Sequence, residues 1–187
     1  VKAEKNVINP IIGEYDDPFN QLQNILTLNL SKDGNTVIYG SSDSGKELIL
    51  ESILYDTMLC HSSKEVQFYL MDFGSEILRN FKEAPHVRDV VLTDDQEKVM
   101  RLFKILRSEI KERKQKLLEY NGDYNLYLKS GKENMPMIVV LLNEYGNFTQ
   151  NFGNYEEEMV SITKECTKYG IVSVSYTHLR AHETKAN

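Results

Sequence analysis

Eight residues, Gly40-Ser-Ser-Asp-Ser-Gly-Lys46-Glu47, constrain this chain more than any others. They follow an apolar stretch, Thr36-Val-Ile-Tyr39, and open a helical pattern, Leu48-Ile-Leu-Glu-Ser-Ile-Leu54. A strand, a glycine-bounded loop ending in Lys, and a helix in that order make a phosphate-binding loop. The backbone N–H groups of such a loop, at a helix N-terminus, cradle nucleotide phosphates, and Lys46 reaches the β- and γ-phosphates. The eighth position ordinarily supplies a Ser or Thr hydroxyl to Mg²⁺; here it is Glu47. The candidate nucleotide-binding set is therefore Gly40, Ser41, Ser42, Asp43, Ser44, Gly45, Lys46 and Glu47, with ATP and Mg²⁺ as the expected ligands.

Such a loop needs a second strand whose end delivers a carboxylate to the metal, often followed by a Glu that orients the attacking water. The candidate is Val139-Val-Leu-Leu-Asn143-Glu144. Glu144 fits the catalytic position, but neutral Asn143 stands where the metal-binding Asp belongs. One carboxylate is thus missing at 143 and one has appeared at 47. Glu47 is expected to take over part of the metal-side charge. Without a metal it would oppose the γ-phosphate, since two like charges about 4 Å apart repel by roughly 4 kcal/mol at an effective dielectric near 20. The sequence favours bound nucleotide with slow or absent turnover over a working ATPase.

The surrounding pattern alternates strands with helices. Strands are expected at Ile25–Leu30, Thr36–Tyr39, Val66–Met71, Val87–Leu92, Met137–Leu142 and Ile171–Val174. The uninterrupted apolar run at 137–142 suits a strand buried on both faces of a parallel sheet. Helices are expected over about Ser44–Leu59, from a capping box at Thr93-Asp-Asp-Gln96 to near Asn121-Gly122, and over Tyr155–Tyr169, stopping at Gly170. Residues 1–24 read as polar and irregular. The fold class is α/β: a P-loop NTPase of the RecA/ASCE type, a three-layer sandwich around a mainly parallel sheet.

Several other features have plainer readings. Cys60 and Cys166 lack metal-like spacing and are expected as reduced core thiols. Asp72-Phe73-Gly74 has the letters of a kinase motif without the loops that must accompany it, so a strand terminus is preferred, with contact to nucleotide or a neighbouring subunit as the alternative. Lys104, Arg107, Lys111, Arg113, Lys114 and Lys116 interleave with Glu109, Glu112 and Glu119, which reads as a solvated, ion-paired face. The net charge of −6 weighs against a general nucleic-acid grip. No apolar run approaches the roughly 20 residues of a membrane span.

Ile11-Ile-Gly-Glu-Tyr-Asp-Asp-Pro18, Gly40–Glu47, Val66–Gly74, Ala84-Pro-His-Val87 and the strand ending at Glu144 together resemble an FtsK/SpoIIIE-type ATPase domain. More narrowly they are similar to the downstream, second-module type found in the EssC/EccC group of type VII secretion ATPases. The resemblance covers roughly residues 8–172. It implies a multi-domain motor at the cytoplasmic face of the cell membrane, anchored through parts outside this chain. It further implies tandem modules as partners, hexameric assembly and small helical-hairpin export substrates. Degenerate metal positions in such a module imply a regulatory or substrate-sensing role. A DNA-translocating motor is the alternative, disfavoured by the acidic balance and the broken metal positions.

The expected division is a lead-in at 1–24, the ATPase domain at 25–172 and a tail at 173–187. Beginning at Val1 rather than Met, the chain reads as a fragment. From Ser173 onward, Ser-Val-Ser-Tyr-Thr-His-Leu-Arg-Ala-His-Glu-Thr184 resembles a translated sequencing-adapter read-through, so the domain is expected to be C-terminally truncated. On that reading His178 and His182, which with Glu183 superficially suggest a zinc cluster, carry no function.

Overall fold

A computed structural model describes residues 7–40, 45, 47–132 and 135–178. Ser41, Ser42, Asp43, Ser44 and Lys46 of the loop, and His182 and Glu183 of the tail, lie outside the described residues.

The chain opens with an antiparallel pair, β1 (Ile11–Asp17) and β2 (Leu22–Thr27), forming a sheet of their own. The lead-in is therefore a hairpin where the composition suggested irregular chain. It is tied to the first long helix by the Ile11 N–H, which donates to Asp56 Oδ2 at 2.9 Å. The strand expected at Ile25–Leu30 ends early. Leu28 N–H turns to Pro10 O, and Asn29 accepts from Lys32 N–H to cap a short helix, α1 (Leu30–Asp33). A polar side chain that bonds its own downstream backbone competes with a sheet ladder, and here it wins.

The remaining strands form one parallel sheet. In chain order they are β3 (Thr36–Gly40), β4 (Val66–Asp72), β5 (Val87–Leu92), β6 (Met137–Asn143) and β7 (Ile171–His178). Their spatial order is β3-β7-β6-β4-β5. Every residue of β6 is buried, so helices cover both faces of the central strand, as its unbroken apolar run predicts. The helices are α2 (Glu47–Cys60), α3 (Gln96–Lys116), α4 (Tyr124–Lys129), α5 (Tyr145–Phe152) and α6 (Glu156–Glu165). Leu50, Ile53 and Leu54 of α2 and Val99, Leu102, Phe103 and Leu106 of α3 are buried at the expected helical spacing.

Four local expectations are corrected. The capping box does not form. Helix α3 starts at Gln96 behind Asp95, whose carboxylate accepts from Leu92 N–H at 3.1 Å and so closes the preceding turn. The helix expected at 155–169 is α6, which ends at Glu165 and gives way to a tight turn running to a left-handed Gly170; α5, set off from it by another tight turn at Gly153–Tyr155, was not expected. Cys60 is exposed at the end of α2; only Cys166 is a core thiol, and burial pushes it up. Arg113 leaves the solvated face and is 1% exposed. Its guanidinium donates to Tyr169 O at 2.9 Å and Pro136 O at 2.6 Å, and Nε donates to Glu109 at 2.8 Å. The buried Arg therefore ties α3 to the backbone that leads into β6 and β7.

Candidate functional site

Because β3 to β7 are all parallel, their C-terminal ends meet on one edge of the sheet. In register, Asp72 lies beside both Asn143 and Leu92, and Gly40 beside His178. Ligand crevices of open α/β sheets lie beyond such strand ends. The loop residues Gly40, Gly45 and Glu47 and the pair Asn143-Glu144 thus share this edge, although a strand, β7, separates β3 from β6.

On the loop side, Gly45 is left-handed with φ +68°, a conformation that favours glycine. Its carbonyl accepts from Leu48 N–H at 3.1 Å, and α2 begins at the half-buried Glu47. A 14-residue helix beginning there presents the positive end of its dipole to the loop. Tyr176 links the two sides electrostatically. Burial raises its phenol, and the Glu144 and then the Glu47 carboxylates raise it further.

On the other side, Asn143 is fully buried at the end of β6. Its Nδ2 donates to Asp72 Oδ1 at 2.9 Å, while its Oδ1 has no hydrogen-bond partner among the described residues. Asp72 is fully buried as well, and accepts from Gly74 N–H at 3.0 Å and Leu78 N–H at 3.1 Å. Both its oxygens are engaged by protein donors, which matches the strand-terminus reading rather than nucleotide contact.

Phe73 and Gly74 complete a brace around the same point. Phe73 N–H donates to Asn143 O at 3.2 Å, and Asn147 Nδ2 donates to Phe73 O at 2.8 Å. The Phe73 ring packs 5.6 Å from Phe148 and 5.2 Å from Phe152, centroid to centroid, and so anchors α5. A Cβ at Gly74 would meet Glu144 Cγ at 2.6 Å, so only glycine fits there without displacement. The sequence offered no signal for this brace, because each of its bonds joins residues about 70 positions apart.

Glu144 follows in a left-handed conformation, φ 63° and ψ 64°, at the start of α5. That backbone costs a non-glycine residue roughly 1 kcal/mol or more and persists only where its surroundings impose it. Phe148 N–H donating to Glu144 O at 3.1 Å is one such constraint. The side chain approaches His178 Nδ1 at 2.5 Å, and Tyr176 OH lies 2.7 Å from the same nitrogen. Among the described residues no cluster of His, Cys, Asp and Glu suits a metal held by protein groups alone, and His178 approaches Glu144, while His182 and Glu183 lie outside the described residues. Strand β7 continues to His178, through the start of the segment that resembles adapter read-through.

The chain matches the FtsK/SpoIIIE family over residues 8–159. It is 27% identical over 172 residues to the ESX secretion system protein EccC of Geobacillus thermodenitrificans, covering 91% of this chain and 12% of that protein. Among solved structures it is similar to EssC (ATPases 2 and 3) from Geobacillus thermodenitrificans, with TM-score 0.85, 26% identity, and coverage of 97% of this chain and 35% of that one. Thermomonospora curvata EccC (ATPases 2 and 3), solved in complex with a signal sequence peptide, shares the fold at TM-score 0.85 and 23% identity, covering 96% of this chain and 34% of that one. The chain thus spans about an eighth of the length of the curated relative it matches.

Proposed function

The chain belongs to the FtsK/SpoIIIE family, and on that premise we propose that it is an ATP-binding module of a type VII secretion motor that holds nucleotide with slow or absent hydrolysis. The observation that carries this reading is the end of β6. A neutral amide stands at 143, and the carboxylate bonded to it, Asp72, accepts from protein donors on both oxygens. Phosphate binding needs the loop and the α2 N-terminus, which the departures at 47 and 143 leave in place. Rapid hydrolysis needs charge at the metal, which they redistribute.

The residues present fit a hydrated Mg²⁺ that arrives with nucleotide. Asn143 Oδ1 is a buried acceptor without a donor, and a metal-bound water is a donor. Glu47 supplies charge on the loop side, and the ion's contribution when bound is to neutralise phosphate charge. Lys46 reaches the phosphates in this reading, and Glu144 orients whatever water attacks.

By the same reading, the module is the second of a tandem and serves as a regulatory or substrate-sensing unit. It works at the cytoplasmic face of the membrane, within a hexamer that exports small helical hairpins. The relatives' names and the signal peptide seated on one of them support this placement. Residues 173–187 are non-native in this account, and a source locus that reads through this tail in frame would remove that part.

The test is titration of a fluorescent ATP analogue with and without Mg²⁺, alongside Lys46→Ala and a DNA-stimulated ATPase assay. Micromolar-range binding that Lys46→Ala weakens at least tenfold, with turnover near background, is expected. Unchanged affinity in Lys46→Ala would leave only an interaction scaffold, and strong DNA stimulation would favour a DNA motor.

A further inference from the structure

We propose that Asp72 is a positioning residue for position 143: it fixes the Asn143 amide with its oxygen toward the nucleotide's ion, and its charge is the reason 143 carries no carboxylate. The inference rests on the functional reading above and adds the residue that governs the metal side of the site.

The amide has only two settings, related by a flip about its terminal bond. With Nδ2 on Asp72 Oδ1, 2.9 Å away, the contact is a charge-assisted donor–acceptor bond. Flipped, two acceptors would face each other at that distance inside the core. Asp72 cannot turn away, because Gly74 N–H and Leu78 N–H hold its two oxygens from the loop side. The amide is therefore locked, and the locked setting leaves Oδ1 buried without a donor. A buried acceptor in that state has lost its hydration without replacement. A ligand that brings a donor, such as a water on a divalent cation, recovers that loss.

The same geometry excludes the usual residue. An aspartate at 143 would set two carboxylates about 3 Å apart in a site where both partners are 0% exposed. Like charges so placed do not both ionise. The carboxylate of this strand-end pair sits on β4 instead of β6, and the amide takes the position facing the ligand. Exchanging the two residues should return the charge to the ligand side while keeping the bond between them.

The experiment is a four-member cycle on the whole chain: wild type, Asp72→Asn, Asn143→Asp, and the double exchange. Each is measured for melting temperature and for the factor by which Mg²⁺ tightens binding of the fluorescent ATP analogue. Asn143→Asp alone is expected to lower the melting temperature by more than about 5 °C. The double exchange should return to within a few degrees of wild type and raise the Mg²⁺ factor at least tenfold. A merely structural bond would move the melting temperatures and leave the Mg²⁺ factor of the double exchange at the wild-type value, which overturns the inference. So does Asn143→Asp gaining the full Mg²⁺ factor with no loss of stability. Absence of nucleotide binding by wild type overturns the functional reading and this inference together, whereas a flat Mg²⁺ factor across a nucleotide-binding cycle overturns the inference alone.

Discussion

Truncating Arg113 to Ala is expected to destabilise the fold by about 3–5 kcal/mol, far more than truncating Arg107 six residues earlier on the same helix. Both arginines meet a glutamate, at 2.8 Å for Arg113–Glu109 and 2.7 Å for Arg107–Glu158. Their surroundings separate them: the Arg113 side chain is 1% exposed and that of Arg107 is 56% exposed. Losing Arg113 strips donors from Tyr169 O and Pro136 O, whereas Gly170 O keeps its bond from Ile138 N–H. The buried Tyr169 carbonyl losing its donor costs about 1–3 kcal/mol, the part-buried Pro136 carbonyl adds less, and the emptied volume adds to both. Glu109 is partly exposed, re-solvates, and contributes little. For a chain of this size the loss corresponds to a fall in melting temperature of roughly 6–20 °C. Arg107→Ala should change stability by less than about 1 kcal/mol. Urea unfolding followed by circular dichroism measures both. Arg113→Met separates packing from bonding, because it refills much of the volume without donating; it should remain clearly less stable than wild type. A loss below about 1 kcal/mol for Arg113→Ala, with unchanged dependence on urea, would refute the claim that these carbonyls depend on the guanidinium.

Gly170→Ala should cost about 2–4 kcal/mol in the same urea assay, because the glycine has φ +73° and an added Cβ would lie 2.7 Å from the Tyr124 ring. A near-neutral result would mean the ring moves aside freely. Burial pushes the Tyr124 phenol up to about 12 from 10.0, so the folded state keeps a proton that the unfolded chain releases. That contribution is fully present below pH 10 and is lost as pH rises toward 12, a fall of roughly 2–3 kcal/mol across the window. Tyr124→Phe, which also removes the bond to Met135 O at 2.8 Å, should flatten that alkaline limb; an unchanged limb would assign it to other groups.

The elements legible in the sequence are those whose burial is set by their own composition. Strand β6 is apolar throughout and could only be central, and α3 repeats its apolar residues at helical spacing over five turns. Hairpin β1–β2 was hidden because it lies outside the main sheet and leaves Tyr15, Leu22 and Ile25 exposed, so neither face shows a buried alternation. Helix α5 was hidden because its helical signal is two phenylalanines whose partner, Phe73, lies just past the end of β4, about 75 residues earlier in the chain. Asn143 and Glu144 were legible as a strand end following an apolar run. The role of Asp72 was not, since its meaning is a bond to a residue 71 positions away.

That bond changes how the departures from the usual motif are weighed. Read along the chain, Glu47 and Asn143 already pair as one carboxylate gained and one missing. At the sheet edge they belong to one charge pattern, in which Asp72 is a third member. An Asn at 143 opposite a neutral residue at 72 would be a simple loss of metal charge, reversible by one substitution. Opposite the Asp72 carboxyl group it is the residue that the pair can tolerate, because its donor end meets an Asp72 oxygen and its own oxygen still offers an acceptor to the ligand. Glu47, on the far side of the crevice, is free of that constraint, being half-buried at the start of α2. Charge placed there meets a cation from the loop side, away from the position where Glu144 would direct water. On the proposed function, an arrangement of this kind would favour retention of a metal–nucleotide complex over its cleavage. On the proposed reading, the amide at 143 follows from Asp72 at the end of β4, the strand beside β6, while the charge at 47 is set independently of it.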